Sequence, residues 1–186
     1  MIDARIPLSS KITDLDPILN NKPRILIFNK WDLCDTDISK QYIKYYQAKG
    51  YEVINTSLLN KASIDQIIKT TEEVKAKVNA LRVNRGLKPR PLRILVVGIP
   101  NVGKSTLINA LVKTRAANVG NKPGITKGLS WIRLKGDLEL LDTPGILWPK
   151  FATQELALRL AALTAIREEV LPLEKLATFI LEQLSI

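Results

Sequence analysis

The chain has 186 residues, of which 46% are hydrophobic and only 5% aromatic; this suits one α/β domain, or one domain and part of another. Its net charge is +10, and the chain contains no histidine. This charge favours a polyanionic partner, with nucleic acid as the first candidate; a basic surface that is simply solvated is the alternative. We expect neither a membrane span nor a secretory leader, because no apolar run approaches the roughly 18 residues of a span. The single Cys34 excludes an internal disulfide.

The first half of the chain alternates predicted helices and strands. Two apolar runs of strand length end at Phe28 and Asn55, and capping or stop residues flank the longer helical patterns. In chain order we predict a short helix at 14–19, a strand at 24–28, a helix from the caps at 35–37 to Lys49, a strand at 51–55, and a helix opened by the capping box Ser63–Gln66 and reaching about Leu81.

The motif Asn29-Lys30-Trp31-Asp32 directly follows the first of these strands. The carboxylate of Asp32 can accept hydrogen bonds from N1–H and the exocyclic amine of guanine, a pair of donors that adenine lacks. Hydrogen bonds to charged groups contribute roughly 1.5–3 kcal/mol each, so two of them would select guanine by orders of magnitude. Alone, the pattern is also compatible with a polar turn after a strand.

Residues 75–93 are rich in Lys and Arg, and Gly86, Pro89 and Pro91 exclude a continuous helix there. We interpret this stretch as the join between two halves of the chain. A cationic connector could contact RNA phosphates, and a solvated linker is the alternative.

A phosphate-binding loop begins the second half. Gly98-Ile-Pro-Asn-Val-Gly-Lys-Ser-Thr106 lies between an apolar run at 92–97 and a helical pattern at 107–112, the strand–loop–helix context that a P-loop requires. The glycines let backbone N–H groups point at a phosphate chain, and the helix presents its positive end to it. Lys104 can reach the β- and γ-phosphates and the Ser105 hydroxyl can ligate Mg²⁺. The predicted nucleotide contacts of this loop are Gly98, Asn101, Val102, Gly103, Lys104, Ser105 and Thr106.

Further metal and phosphate ligands are predicted downstream. A hairpin of strands at 129–134 and 138–141 leads into Asp142, which would hold the Mg²⁺ shell, while the N–H of Gly145 would face the γ-phosphate. Thr126 can add a hydroxyl to the metal, although a loop threonine is often only solvated. Beyond these, we predict a helix from a cap at Thr153 to about 168 and another after Pro172.

The order of these motifs is the reverse of that in Ras, because Asn29 precedes Gly98. With the segments 3–10, Asp-Ala-Arg-Ile-Pro-Leu-Ser-Ser, and 142–150, Asp-Thr-Pro-Gly-Ile-Leu-Trp-Pro-Lys, the chain closely resembles the circularly permuted GTPases of the ribosome biogenesis GTPase A family and their mitochondrial relatives. The resemblance implies an α/β, Ras-like P-loop GTPase fold, circularly permuted, with a mostly parallel sheet flanked by helices and the start of a C-terminal helical domain. Its GTPase domain would span 1–150, as a guanine-specificity half at 1–80, a basic linker at 81–91 and a P-loop and switch half at 92–150; the helical domain would begin within 151–186.

The resemblance also assigns roles that the residues alone do not fix. The loop at Ser57 and Leu58 would contact guanine O6 through backbone N–H groups. Asn101 would help to bind K⁺ and so act in catalysis with Lys104 and Thr126, or it would be an ordinary loop-capping amide. Ile146 stands where Ras-type enzymes carry the water-orienting glutamine, and the chain holds no histidine to replace it, so we expect slow hydrolysis.

Only Met1 and Ile2 precede the Asp-Ala-Arg-Ile-Pro element, which in the family closes a long central strand. We therefore expect a chain shortened at its beginning, and at its end as well, because the last apolar helical stripe has little to cover it. The alternative is that Met1 is the true start and the sheet has rearranged.

Three functions compete on this basis. The first is a GTPase that binds GTP and GDP with Mg²⁺, acts in assembly of the large ribosomal subunit and couples its nucleotide state to rRNA, in the bacterial cytoplasm or, alternatively, the mitochondrial matrix. The second is a guanine-nucleotide-dependent RNA-binding module with little hydrolysis. The third is an ATP-using P-loop kinase or ATPase, against which Asn29–Asp32 argues. No DNA specificity is expected.

Overall fold

The computed structural model describes residues 1–12, 15–20, 22–115, 130–134, 136–142, 153–166 and 171–184. Strands and helices alternate through most of it, as an α/β fold requires. The strands are β1 (Ile2–Asp3), β2 (Ile25–Asn29), β3 (Glu52–Asn55), β4 (Leu92–Leu95), β5 (Ser130–Leu134) and β6 (Leu138–Asp142). The helices are α1 (Leu15–Leu19), α2 (Thr36–Ala48), α3 (Lys61–Val83), α4 (Lys104–Arg115), α5 (Gln154–Ala162) and α6 (Leu173–Leu184).

Side-chain caps decide where several helices begin. Asp35 caps α2 by accepting from the N–H groups of residues 37 and 38, and Thr153 caps α5 by accepting from Leu156, both as predicted. The predicted capping box at Ser63 is wrong: α3 begins three residues earlier, at Lys61, where the side chain of the cap Asn60 accepts from Ala62 N. Since Asn60 already supplies an acceptor, the turn forms before the Ser63 hydroxyl is reached.

Two helix ends also differ from the prediction. Helix α3 continues to Val83 and so occupies the first residues of the predicted linker, and α5 ends at Ala162 rather than near 168. At the second end, Thr164 adopts a left-handed conformation with φ of 58°, which an α-helix cannot include.

The strands form two three-stranded sheets. In the first, β1, β2 and β3 are parallel in that order; in the second, β4 pairs parallel with β6, and β6 pairs antiparallel with β5 as the predicted hairpin. The two-residue β1 lies beside the carboxyl end of β2, with Asp3 opposite Asn29. On its other side the Met1 amine donates to Val97 O at 2.6 Å, just past β4. The Asp-Ala-Arg element therefore lies between the guanine-motif strand and the P-loop strand.

Both halves of the chain contribute to one hydrophobic core. Ile27, Ile54 and Ile67 from the first half are buried in the same cluster as Leu107 and Leu140 from the second. Such a shared interior keeps the halves together despite the permuted order, since burying each of these side chains contributes about 1.5–3 kcal/mol. A second cluster around Phe28 and Tyr46 covers the other face of the first sheet. None of the described helices is long and apolar enough to cross a membrane.

Candidate functional site

The P-loop has the context that the sequence predicts. Strand β4 ends at Leu95, the loop follows, and α4 begins at Lys104. The Lys104 amine is buried within the loop and donates to Gly98 O at 2.9 Å and to Ile99 O at 2.7 Å. Ser105 and Thr106 are exposed on the first turn of α4. The loop therefore carries a cation and a helix N-terminus at one place, the arrangement that binds a phosphate chain.

Two glycines permit close approaches that no other residue would allow. A Cβ on Gly98 would lie 2.7 Å from Met1 O, and one on Gly103 would lie 2.4 Å from the Asn29 amide nitrogen. Gly103 also has φ of +103°, which L residues rarely adopt. The first glycine lets the P-loop pack against β1, and the second lets it pack against the guanine motif.

The two predicted nucleotide-binding motifs meet directly. The buried Asn29 amide donates to Val102 O at 2.8 Å, across 73 residues of sequence. Leu58, from the loop after β3, also lies against Gly103, since its Cδ1 is 3.3 Å from the position of a Cβ there. Loops at the carboxyl ends of β2, β3 and β4 thus converge, which is where ligands bind in open α/β sheets.

An ion pair between a half-buried lysine and a buried carboxylate supports the turn of the guanine motif. Lys30 is left-handed, with φ of 60° and ψ of 38°, and its amine lies 3.0 Å from the Asp3 carboxylate. Asp3 also accepts two side-chain hydrogen bonds from Arg5, at 2.9 and 2.8 Å. After this turn the Trp31 N–H donates to Thr56 O, and Asp32 lies exposed within a 3₁₀ turn. The left-handed backbone at Lys30 costs of order 1–2 kcal/mol, which these ionic contacts help to offset.

Burial and hydrogen bonding shift the pKa of the Asp3 carboxyl group in opposite directions. Burial raises the pKa of Asp3, but hydrogen bonds from Arg5 and Lys30 outweigh burial and hold that pKa below its ordinary value. The hydrogen bond to Asp3 raises the pKa of Arg5, and the field of Asp32 adds to it. Asp3 and Arg5 thus support the guanine motif, a role that the sequence analysis did not assign. The signal was available, since an acidic residue beside a buried strand needs a cation nearby.

Asn101 has a different partner from the one the family resemblance implies. Its amide donates to Thr164 O at 2.6 Å, and both residues have left-handed backbones. Thr164 lies just past α5, so this bond joins the P-loop to the C-terminal helices. The predicted role of Asn101 toward K⁺ stays a prediction.

The other predicted ligands divide into two groups. Ser57 and Leu58 lie half-buried in the loop between β3 and α3, next to the P-loop. Asp142 ends β6, which pairs with the P-loop strand, although its side chain is not among those described. Thr126 and Gly145 fall outside the described residues.

The chain is similar in sequence to proteins that are described as ribosome-related GTPases. A family described as "50S ribosome-binding GTPase" matches residues 93–180. The chain is 43% identical over 182 residues to ribosome biogenesis GTPase A of Bacillus cereus, covering 97% of this chain and 61% of that protein. It is 35% identical over 192 residues to mitochondrial ribosome-associated GTPase 1 of Bos taurus, covering 98% of this chain and 58% of that one. The chain thus spans roughly three fifths of these curated relatives.

A solved structure shares the fold. The GNP-bound structure of YlqF from T. maritima superposes with a TM-score of 0.69 at 26% identity, over 97% of this chain and 65% of that one. A GDP-bound structure of the T. maritima protein gives a TM-score of 0.68 at 27% identity. The α/β architecture in permuted order is therefore that of a known GTPase fold.

Proposed function

Because the chain belongs to the circularly permuted GTPases of the ribosome biogenesis GTPase A family, we propose that it binds GTP and GDP with Mg²⁺ and hydrolyses GTP during assembly of the large ribosomal subunit. The observation that carries the proposal is the hydrogen bond from Asn29 to Val102 O. It holds a guanine-type motif against a phosphate-type loop, so that one nucleotide can contact both.

Each part of the site has a role in this proposal. Lys104 exchanges a loop carbonyl for β- and γ-phosphate oxygens, while N–H groups of the loop and of α4 hold the phosphate chain. Ser105, Asp142 and Thr126 would supply oxygen ligands to the Mg²⁺, and the N–H of Gly145 would bind the γ-phosphate. When bound, the metal neutralises charge that develops between the β- and γ-phosphates.

The base is selected at the other end of the nucleotide. Asp32 accepts from guanine, and backbone N–H groups at Ser57 and Leu58 donate to O6. The exposed position of Asp32 after the fixed Lys30 turn supports this assignment. ATP offers no matching donor pair, which argues against the kinase or ATPase alternative.

A competition experiment tests the nucleotide assignment. Fluorescent GDP is bound to the chain in Mg²⁺ and displaced with GTP or with ATP. We expect GTP to compete at least about a hundredfold better than ATP, because guanine donates two hydrogen bonds to the charged Asp32 carboxylate and adenine cannot. Equal competition by ATP would remove the guanine assignment.

We propose that hydrolysis is slow in this chain. Ile146 has no group to orient water, and no histidine is present to replace it. Asn101 would contribute K⁺ binding if it exchanged its bond to Thr164 O. Single-turnover hydrolysis in KCl, with and without large ribosomal subunits, measures this. Rapid subunit-stimulated turnover would contradict slow hydrolysis while leaving GTP binding in place.

The bond between Asn101 and Thr164 also supplies a route from the nucleotide to a partner. A rearrangement of the P-loop on GTP binding would alter the position of the loop after α5, and with it the C-terminal helices. We propose that this change in the C-terminal helices alters how tightly the protein binds rRNA in the large subunit. The relatives include a bacterial protein and one named as mitochondrial. For the location of this protein we propose the bacterial cytoplasm, with the mitochondrial matrix as the alternative.

A further inference from the structure

The charge of the chain is concentrated in one continuous stretch. Between Glu73 and Asp137 the sequence contains no acidic residue and 14 basic ones, whereas all 18 acidic residues of the chain lie elsewhere. The basic residues of this stretch are Lys75, Lys77, Arg82, Arg85, Lys88, Arg90, Arg93, Lys104, Lys113, Arg115, Lys122, Lys127, Arg133 and Lys135. The stretch accounts for more than the whole net charge of +10, so the remainder of the protein is slightly acidic. Such asymmetry along the sequence favours a polyanionic partner for this stretch.

Part of this stretch forms a well-defined loop. The connector loop, residues 84–91, folds back onto the end of α3. The Asn79 side chain holds both backbone groups of Arg90, donating to its carbonyl at 3.2 Å and accepting from its N–H at 3.1 Å. Arg82 donates to Lys88 O at 3.1 Å, and Gly86 has the positive φ of 72° that the turn needs. Hydrogen bonds therefore hold the connector loop against the end of α3, while its residues stay exposed to solvent.

Three side chains of the connector loop are exposed cations. Arg85, Lys88 and Arg90 point to solvent, and no carboxylate of the described residues lies within ion-pair distance of them. Their neighbours behave differently, since Lys75 pairs with Glu72 and Arg93 with Glu139. Crowding three like charges on six residues is unfavourable by itself. A bound anion would attract all three cations and so offset their mutual repulsion.

We propose that the connector loop binds the phosphate backbone of structured RNA and is one of the contacts through which this protein holds the large ribosomal subunit. The inference rests on the proposed function for the choice of RNA among polyanions. Recognition at this loop is independent of sequence, because Lys and Arg side chains that contact phosphates carry no base readout. The loop lies at the start of β4, whereas the P-loop follows the end of that strand, so RNA and nucleotide can be bound together.

The test uses two variants of equal charge. One replaces the loop cations together, as Arg85→Gln, Lys88→Gln and Arg90→Gln. These three residues take part in the hydrogen bonds that hold the loop through their backbone groups, so the substitutions keep its shape. The control replaces three exposed lysines outside the acid-free stretch, as Lys44→Gln, Lys61→Gln and Lys69→Gln. Equal GDP affinity in all three proteins verifies that the fold and the nucleotide site are intact.

Binding is measured to a 20-base-pair RNA duplex of arbitrary sequence, to purified large ribosomal subunits and to anionic lipid vesicles, each across a range of KCl. For the duplex we expect the loop variant to bind roughly ten- to a hundredfold more weakly near 0.1 M KCl, and its slope of log Kd against log salt to fall by about 2–3. The control should keep the wild-type slope to within about one unit.

The inference would be overturned by equal losses in both variants, by no duplex binding of the wild type, or by a loop variant that loses binding to the anionic lipid vesicles but keeps duplex binding. Loss of subunit binding with unchanged duplex binding would also overturn it, because the loop would then contact a ribosomal protein. If none of the three proteins binds subunits at any salt concentration, the proposed ribosomal function itself fails, whatever the duplex shows.

Discussion

The contact between the two nucleotide-binding motifs can be tested by replacing one atom. Asn29→Asp keeps the shape of the side chain but exchanges the NH₂ group that donates to Val102 O for an oxygen that cannot donate. The carbonyl of Val102 then loses its partner in a buried setting, which costs about 1–3 kcal/mol. For a chain of this size that corresponds to a fall in Tm of about 2–12 °C. Thermal unfolding followed by circular dichroism measures the loss directly.

A second aspartate variant provides the control. Asn60 caps α3 with its side-chain oxygen, which accepts from Ala62 N, so Asn60→Asp retains the acceptor. Its free energy of unfolding should stay within about 0.5 kcal/mol of wild type, and the negative charge is favourable at a helix N-terminus. GDP affinity should fall at least about fivefold in the Asn29 variant, since 1 kcal/mol is about a fivefold change, and should stay unchanged in the Asn60 variant. Equal stability and equal GDP affinity in both variants would refute the contact between the motifs.

Three other substitutions test further parts of the site. Gly103→Ala should lower Tm and GDP affinity together, because its Cβ would lie 2.4 Å from the Asn29 nitrogen at a φ of +103°; a wild-type Tm would show that the P-loop is not pressed against the guanine motif. Asp3→Asn should reduce the loss of stability in acid. The folded-state pKa of Asp3 is lowered, so its carboxylate stabilises the wild type at pH above the unfolded value of 3.8, and that contribution is lost as the pH falls through the folded-state pKa. Unfolding by urea between pH 3 and pH 7 compares the two proteins, and identical pH profiles would contradict the ion pair with Lys30. Asp32→Asn should weaken GTP binding at least about tenfold and leave ATP binding unchanged; equal losses for both nucleotides in a competition titration would remove Asp32 from the base site.

The parts of the fold that the sequence predicts are those with local signals. A strand, a Gly-rich loop and a helix stand next to one another around Gly98 and Lys104, so their arrangement follows from short-range rules. Hydrophobic patterns and caps such as Asp35 and Thr153 place α2 and α5 for the same reason.

The features that the sequence does not predict depend on distant partners. The bond from Asn101 to Thr164 joins positions 63 residues apart, and no pattern in either segment indicates it. The left-handed turn at Lys30 is paired with Asp3, which the register of β1 and β2 places opposite Asn29. Asn60 and Ser63 are both good N-caps, so cap propensity alone does not choose between them; in the structure Asn60 is the cap.

The most direct test of the account is a crystal structure of this chain with GDP and Mg²⁺. We expect the Asp32 carboxylate within about 3 Å of N1 and the exocyclic amine of guanine, and the Lys104 amine at a similar distance from the β-phosphate of the same molecule. A nucleotide held by only one of the two motifs, or a Lys104 amine on the opposite side of the protein from the base, would contradict the account.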